Sequence, residues 1–250
     1  MITALRIEAT KFARSTVGIV ASAAIGAGIV VLCAAMMLAV VAGEPSIVAR
    51  LGEFGTFDWR GLLGAAAQIT SAGAFVGFGV VAAWMYAREF AEGTITGLFA
   101  QPIGRATIAI AKALVFLAWA IGVSVLVAGA LLLLGFALGF GPPDSETAAA
   151  LGRQAALGAF TAVLTLPVAW VASLSRSLLA GVATTIGFVV VAQVGVLADI
   201  DGWMPLAAPA LWALSGGTAA SPAQLVFAVA VGIAALSATA WSWHRLQLDR

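Results

Sequence analysis

Few residues in this chain can do ionic or acid–base chemistry, and several of them sit together. Residues 88–112 read REFAEGTITGLFAQPIGRATIAIAK and hold Arg88, Glu89, Glu92, Arg105 and Lys112, five of the chain's 23 Asp, Glu, Lys and Arg residues. Carboxylate, guanidinium and ammonium groups form charge-assisted hydrogen bonds, roughly twice as strong as neutral ones. Such bonds fix a geometry; they do not make a catalyst. His244 is the only histidine, so no Ser–His pair is available for hydrolysis inside an apolar run. No grouping of His, Cys, Asp and Glu has metal-ligand spacing. The only lysines are Lys11 and Lys112, and no GxxxxGK[ST] loop exists to cradle a nucleotide's phosphates. The chain therefore carries no cofactor site of its own, and energy for any uphill step must come from another polypeptide.

The elements that must position these charges follow from the turn residues between them. Gly93 suits the left-handed position just past a helix end, and Thr94 suits the N-cap of a new one. Ile95, Leu98 and Phe99 recur at helical spacing and make one apolar face over residues 95–101. Pro102 stops that helix, because the residue before a proline is pushed out of the α region. Ile103 and Gly104 turn the chain, and the next helix begins near Arg105. The segment reads as helix, tight turn, one or two turns of amphipathic helix, tight turn, helix. Its apolar face suits a groove on a partner, or the lipid interface if the segment is a plain connector.

Composition sets the solvent. The 250 residues are 62% hydrophobic and 9% charged, against about 25% charged in soluble domains. Lipid must cover most of the surface. A net charge of +1 gives no global attraction to nucleic acid. Six apolar runs are long enough to cross a bilayer as helices, at 17–42, 62–87, 113–140, 154–174, 178–198 and 222–243. The first run is too long for the h-region of a cleavable signal, so it counts as a span. The fold class is all-α, polytopic, with six transmembrane helices. Cys33 reads as a small buried apolar residue.

Orientation follows from Lys and Arg. With the N-terminus cytoplasmic, nine fall inside (Arg6, Lys11, Arg14, Arg88, Arg105, Lys112, Arg176, Arg245 and Arg250) and three outside (Arg50, Arg60 and Arg153). Asp199 and Asp201 then lie outside and Asp249 inside. Both termini are expected in the cytoplasm. Trp59, Trp84, Trp203, Trp241 and Trp243 read as interfacial anchors, and Trp119 and Trp170 as packing residues. Residues 2–14 read as an amphipathic interfacial helix whose apolar face is Ile2, Leu5, Ala9 and Phe12. No Asp, Glu, Lys, Arg or His stands at the centre of a span, which counts against an ion-coupled carrier. Small residues four apart, at Gly73 and Gly77, Gly135 and Gly139, and Ser22 and Gly26, are candidates for close helix packing. Gln68, Thr70, Ser71, Thr184, Thr185 and Gln193 either line a polar path or join helices.

The pattern Glu89-Phe90, Gly93-Thr94-Ile95, Leu98-Phe99, Pro102-Ile103, Arg105, Ala111-Lys112 resembles the cytoplasmic loop of ABC-2 type transporter permeases. The opening Glu8, Lys11, Arg14, Ser15 is similar to the start of the bacitracin- and lantibiotic-type members. The resemblance implies one transmembrane domain over 1–250: an interfacial helix at 1–16, spans one and two at 17–87, a coupling segment at 88–112, spans three to five at 113–198, a re-entrant outer segment at 199–221, and span six with its tail at 222–250. It also implies a permease in the bacterial plasma membrane, paired with a second permease copy, identical or not. A cytoplasmic ATP-binding cassette subunit would hold ATP and Mg. That subunit would dock on Glu89, Glu92, Gly93, Thr94, Ile95, Leu98, Phe99, Pro102, Arg105 and Lys112, with Arg176 in a smaller second contact. An exporter of lipid, hydrophobic drug or amphipathic peptide fits these features; a carrier without ATPase, or a membrane scaffold or immunity protein, remains the alternative.

Overall fold

The computed structural model describes residues 1–197 and 203–247. The sidedness expected for Asp199, Asp201, Asp249 and Arg250, and the start of the expected re-entrant segment, lie outside the described residues. The described residues are helical without strands. In chain order the helices are α1 (Ile2–Ala13), α2 (Thr16–Val41), α3 (Pro45–Leu51), α4 (Trp59–Ile69), α5 (Phe75–Ala91), α6 (Ile95–Phe99), α7 (Arg105–Ala137), α8 (Ser145–Leu164), α9 (Leu166–Ser175), α10 (Leu178–Leu197), α11 (Ala208–Leu214) and α12 (Pro222–Arg245).

Six helical stretches are long and apolar enough to cross a bilayer: Thr16–Val41, Trp59–Ala91, Arg105–Ala137, Ser145–Ser175, Leu178–Gly195 and Pro222–Arg245. α4 and α8 begin before their apolar runs do, because polar caps start these helices earlier than hydropathy suggests. Asp58 Oδ1 accepts from the Gly61 amide and Asp144 Oδ1 from the Thr147 amide, both at 2.8 Å, giving α4 and α8 satisfied N-termini. Ser15 caps α2 through the Gly18 amide, and Ser221 and Gln224 form a reciprocal capping box on α12.

Two long spans are not uniform. α4 and α5 are joined through one wide turn, Thr70–Ala74, where the helix loosens to an i→i+5 pattern. α8 and α9 are separated at Thr165, since Pro167 in the first turn of α9 has no N–H to continue the ladder.

The core is centred on α5, whose Phe78, Val81, Ala82, Ala83, Met85 and Tyr86 are buried. α10 lies close against it: a Cβ on Gly79 would meet Thr185, and one on Gly181 would meet Ala83 and Ala172. These contacts do the packing that the sequence pattern gave to spaced pairs. From those pairs Gly77, against Ile25, and Gly135, against Trp59, make close approaches, and Ser22 Oγ accepts from the Trp119 indole N–H at 2.8 Å; Gly26 faces open space and Gly139 lies just past the end of α7 with φ +83°. Cys33 is fully buried. Val31, Leu126, Leu179 and Val226 point outward, as a lipid-solvated surface requires.

Three sequence expectations change. α1 turns Ala4, Glu8 and Phe12 inward against the bundle and leaves Ile2 and Ala9 exposed, so its buried face carries an acid. Trp243 is fully buried, not an interfacial anchor, because the ends of neighbouring helices close around it. Trp170 is exposed on α9, not packed. α11 lies in the segment expected to re-enter; Pro209 stands in its first turn, Ala208 is fully buried, and it packs on α4, α8 and α12.

Candidate functional site

The segment between spans two and three folds as its turn residues dictate. α5 ends at Ala91, Gly93 takes φ +68°, and α6 runs five residues before the chain turns through Pro102 into α7. Thr94 occupies the N-cap position of α6 but makes no side-chain capping bond.

The apolar face of α6 turns into this chain's own core. Ile95 and Leu98 are buried in this chain's own core, and Phe99 packs edge-to-face on Trp243 with ring centroids 5.9 Å apart. Trp243 also meets Tyr86 at 5.9 Å and Phe90 at 6.3 Å, and its indole N–H donates to Ser173 Oγ at 2.9 Å. One indole from α12 thus joins α5, α6 and α9. The physical reason is area: a five-residue helix has one narrow apolar face, and the aromatic ends of adjacent spans are the nearest surface able to cover it. What α6 leaves outside is small and polar. Glu92, Gly93, Thr94, Thr96, Gly97 and Pro102 are exposed.

Beside α6 the roots of α5 and α7 are tied together by buried charge. Lys112 Nζ, on a residue only 1% exposed, donates to Glu89 Oε1 at 2.7 Å, Glu8 Oε2 at 2.9 Å and the Met85 carbonyl at 3.0 Å, using all three of its donors. Lys11 Nζ bridges the same two acids at 2.7 Å each. The result is a neutral quartet of two lysines and two glutamates from α1, α5 and α7. Burial works against the charge on Lys11, but Glu89 and Glu8 outweigh it and hold its ammonium above the ordinary lysine value. Tyr86 Oη donates to the Ala109 carbonyl at 2.6 Å and adds a second cross-link between α5 and α7.

The remaining cations bind the C-terminal end to the same place. Arg105 donates to the Leu246 carbonyl and lies 4.5 Å from the Phe99 ring centre. Arg176, in a left-handed conformation at the end of α9 (φ +53°), donates to the Gln247 carbonyl at 3.1 Å and lies over Phe90. α1 and the backbone of residues 246–247 therefore lie at the α6 end of the bundle.

Of the residues expected to contact a partner, Glu89 and Lys112 are committed inside, Ile95, Leu98 and Phe99 face inward, Arg105 and Arg176 hold the tail, and Glu92, Gly93, Thr94 and Pro102 are outside. Sequence reasoning missed Glu8, Lys11 and Trp243. A signal for Glu8 exists: it stands four residues from both Ala4 and Phe12, so it shares their face. Lys112 likewise lies on the stripe of Ile108 and Phe116. The polar span residues divide. Thr70 joins helices by accepting from Gln154, and Thr184 and Thr185 bond back to their own helix. Gln68, Ser71 and Gln193 line a side cavity of about 410 Å³.

Six membrane-length helices in an all-helical chain, with a short helix seated across the ends of three of them, define a multi-pass membrane protein of the permease type. The chain belongs to the ABC-2 transporter family: the model of the family described as ABC-2 family transporter protein matches residues 4–192, from α1 through most of α10. It is thus a membrane permease component of an ABC transporter, a class that associates with an ATP-binding cassette subunit. No curated protein matches the sequence.

Proposed function

We propose that the chain is the permease half of an ATP-driven exporter of the bacterial plasma membrane. It works with a second permease copy and takes its energy from a cytoplasmic ATP-binding cassette subunit that docks on α6. ATP and Mg stay on that subunit. Both termini and α6 face the cytoplasm, in line with the nine-to-three distribution of Lys and Arg.

One observation carries this reading. α6 is fastened on its inner side to α5, α9 and α12 through Trp243, and its flanking roots are fastened to each other and to α1 by the charge quartet. A displacement applied to the exposed side of α6 is passed to several spans at once, because packed interiors have low compressibility. The docking surface is then the small polar side, Glu92 to Gly97, with the apolar face serving as the joint.

The test follows from that division. Changing Leu98 or Phe99 would disrupt the core and say little about docking. Gly97 faces open space, so Gly97→Glu leaves the fold intact while adding bulk and charge to the contact. The permease is purified with a candidate ATP-binding cassette subunit. Expected is loss of the complex and of substrate-stimulated ATP hydrolysis, with an unchanged unfolding temperature of the isolated permease. A Gly97→Glu complex of full activity would sink the docking assignment.

A further inference from the structure

At the end of the bundle opposite α6, a cavity of about 720 Å³ opens between the starts of α4 and α8 and the end of α11. Gln154, on α8, lines it and is 3% exposed. Its amide Nε2 donates to Thr70 Oγ1 at 2.7 Å, while Oε1 is buried without any partner. Bare buried acceptors are rare, since the large majority of buried polar side-chain atoms are paired. Gln154 stands in the wall of this cavity and also of a small internal void beside Thr70 and Ser124.

The rest of the wall says what that ligand is. Glu53, Asp58, Asp144 and Glu146 face Arg60 and Arg153, a surplus of two negative charges. Glu53 is paired with Arg60, and Asp58 and Asp144 are occupied as helix caps. Glu146 makes no ion pair among the described residues. Phe54, Trp59 and Leu63 give the cavity an apolar side. Arg153 argues the other way, because its Nε is buried without a partner and favours an anion. The carboxylate surplus, together with the free acceptor on Gln154, outweighs it.

We propose that this cavity binds an amphiphile carrying a protonated amine. The ammonium donates to Gln154 Oε1 and faces Glu146, and the apolar portion lies on Trp59, Phe54 and Leu63. As the substrate class of the exporter this rests on the function proposed above; as a binding site it does not.

The experiment is calorimetric titration of octylamine and of octanoate into the full chain in nanodiscs of neutral lipid, with empty nanodiscs subtracted. Expected is saturable octylamine binding, weakened about tenfold or more by Gln154→Leu, which removes a hydrogen bond to a charged donor. Glu146→Gln, on the open rim where folding is not at risk, weakens it several-fold, and octanoate gives no comparable binding. The proposal is overturned if octylamine does not bind, if octanoate binds as well, or if both variants bind octylamine like the parent. ATP hydrolysis by the assembled complex separates the two ideas. Octylamine that binds but does not stimulate hydrolysis leaves the site standing and counts against the exporter. Lost binding with intact sensitivity to Gly97→Glu removes the site and leaves the coupling.

Discussion

The two ends of the bundle place their ion pairs differently, buried at one and exposed at the other. At the α6 end, the ammonium groups of Lys11 and Lys112 meet Glu8 and Glu89, and the indole N–H of Trp243 meets Ser173. At the other end, Gln154 and Arg153 each bury an unpaired atom, and the ion pair Glu53–Arg60 lies on the exposed surface. Buried ion pairs tie α1, α5 and α7 together at the α6 end, where Arg88 Nε and Glu89 Oε2 are nonetheless buried without a partner. Incomplete pairing around a cavity makes an end that is completed by something else. A permease driven from one side and open to a ligand on the other has use for both.

The sharpest way to break this comparison is to remove one charge at each end. Lys112→Met leaves Glu8 and Glu89 buried and under-compensated and is expected to cost about 3–5 kcal/mol. Arg60→Ala is expected to cost under about 1 kcal/mol, because both partners of its pair are more than 60% exposed (64% and 66%) and screened by water. Denaturant unfolding of the purified protein in detergent measures both. Adding Glu8→Gln and Glu89→Gln to Lys112→Met should recover much of the loss, since the penalty lies in uncompensated charge. Equal losses for Lys112→Met and Arg60→Ala would erase the distinction between a locked end and an open one.

A second cut tests the aromatic joint. Trp243 is fully buried with three aromatic neighbours, and Trp243→Ala is expected to cost about 3–5 kcal/mol by cavity formation. The same variant should raise amide hydrogen exchange over residues 95–99 and leave the amides of α4 and α8 near the cavity unchanged. Uniform exchange along the chain would mean that α6 is not held by Trp243.

Much of this architecture was legible in the sequence. The six spans, the turn at Gly93, the stop at Pro102 and the short helix between them rest on local chemistry: apolar run length, positive φ and the missing N–H of proline. What was not legible depends on which helices become neighbours. The apolar face of Ile95, Leu98 and Phe99 was correctly drawn, but whether it covers a partner or its own chain is decided by α12 returning to the same end. Glu8 and Lys112 are 104 positions apart, so their pairing has no local signature beyond each sharing an apolar helix face. The same limit hid Gln154, whose unpaired oxygen is a property of the assembled wall.

The smallest effect separates the exposed member of the quartet from the buried one. Lys11 is 28% exposed in its side chain, and Glu89 and Glu8 hold its ammonium above the ordinary lysine value of 10.5 despite the opposing effect of burial. A folded-state value raised above the unfolded one contributes stability that is fully present below about pH 10.5 and is lost as pH rises through the raised value. Thermal unfolding between pH 9 and pH 12 should therefore show a decline at the alkaline end. Lys11→Arg keeps the charge and removes the titration, since a guanidinium stays protonated throughout this range. The decline should shrink in that variant while stability at pH 8 stays close to the parent. If the alkaline decline is identical in both proteins, Lys11 contributes nothing to the charge quartet, and Lys112 alone supplies its cation.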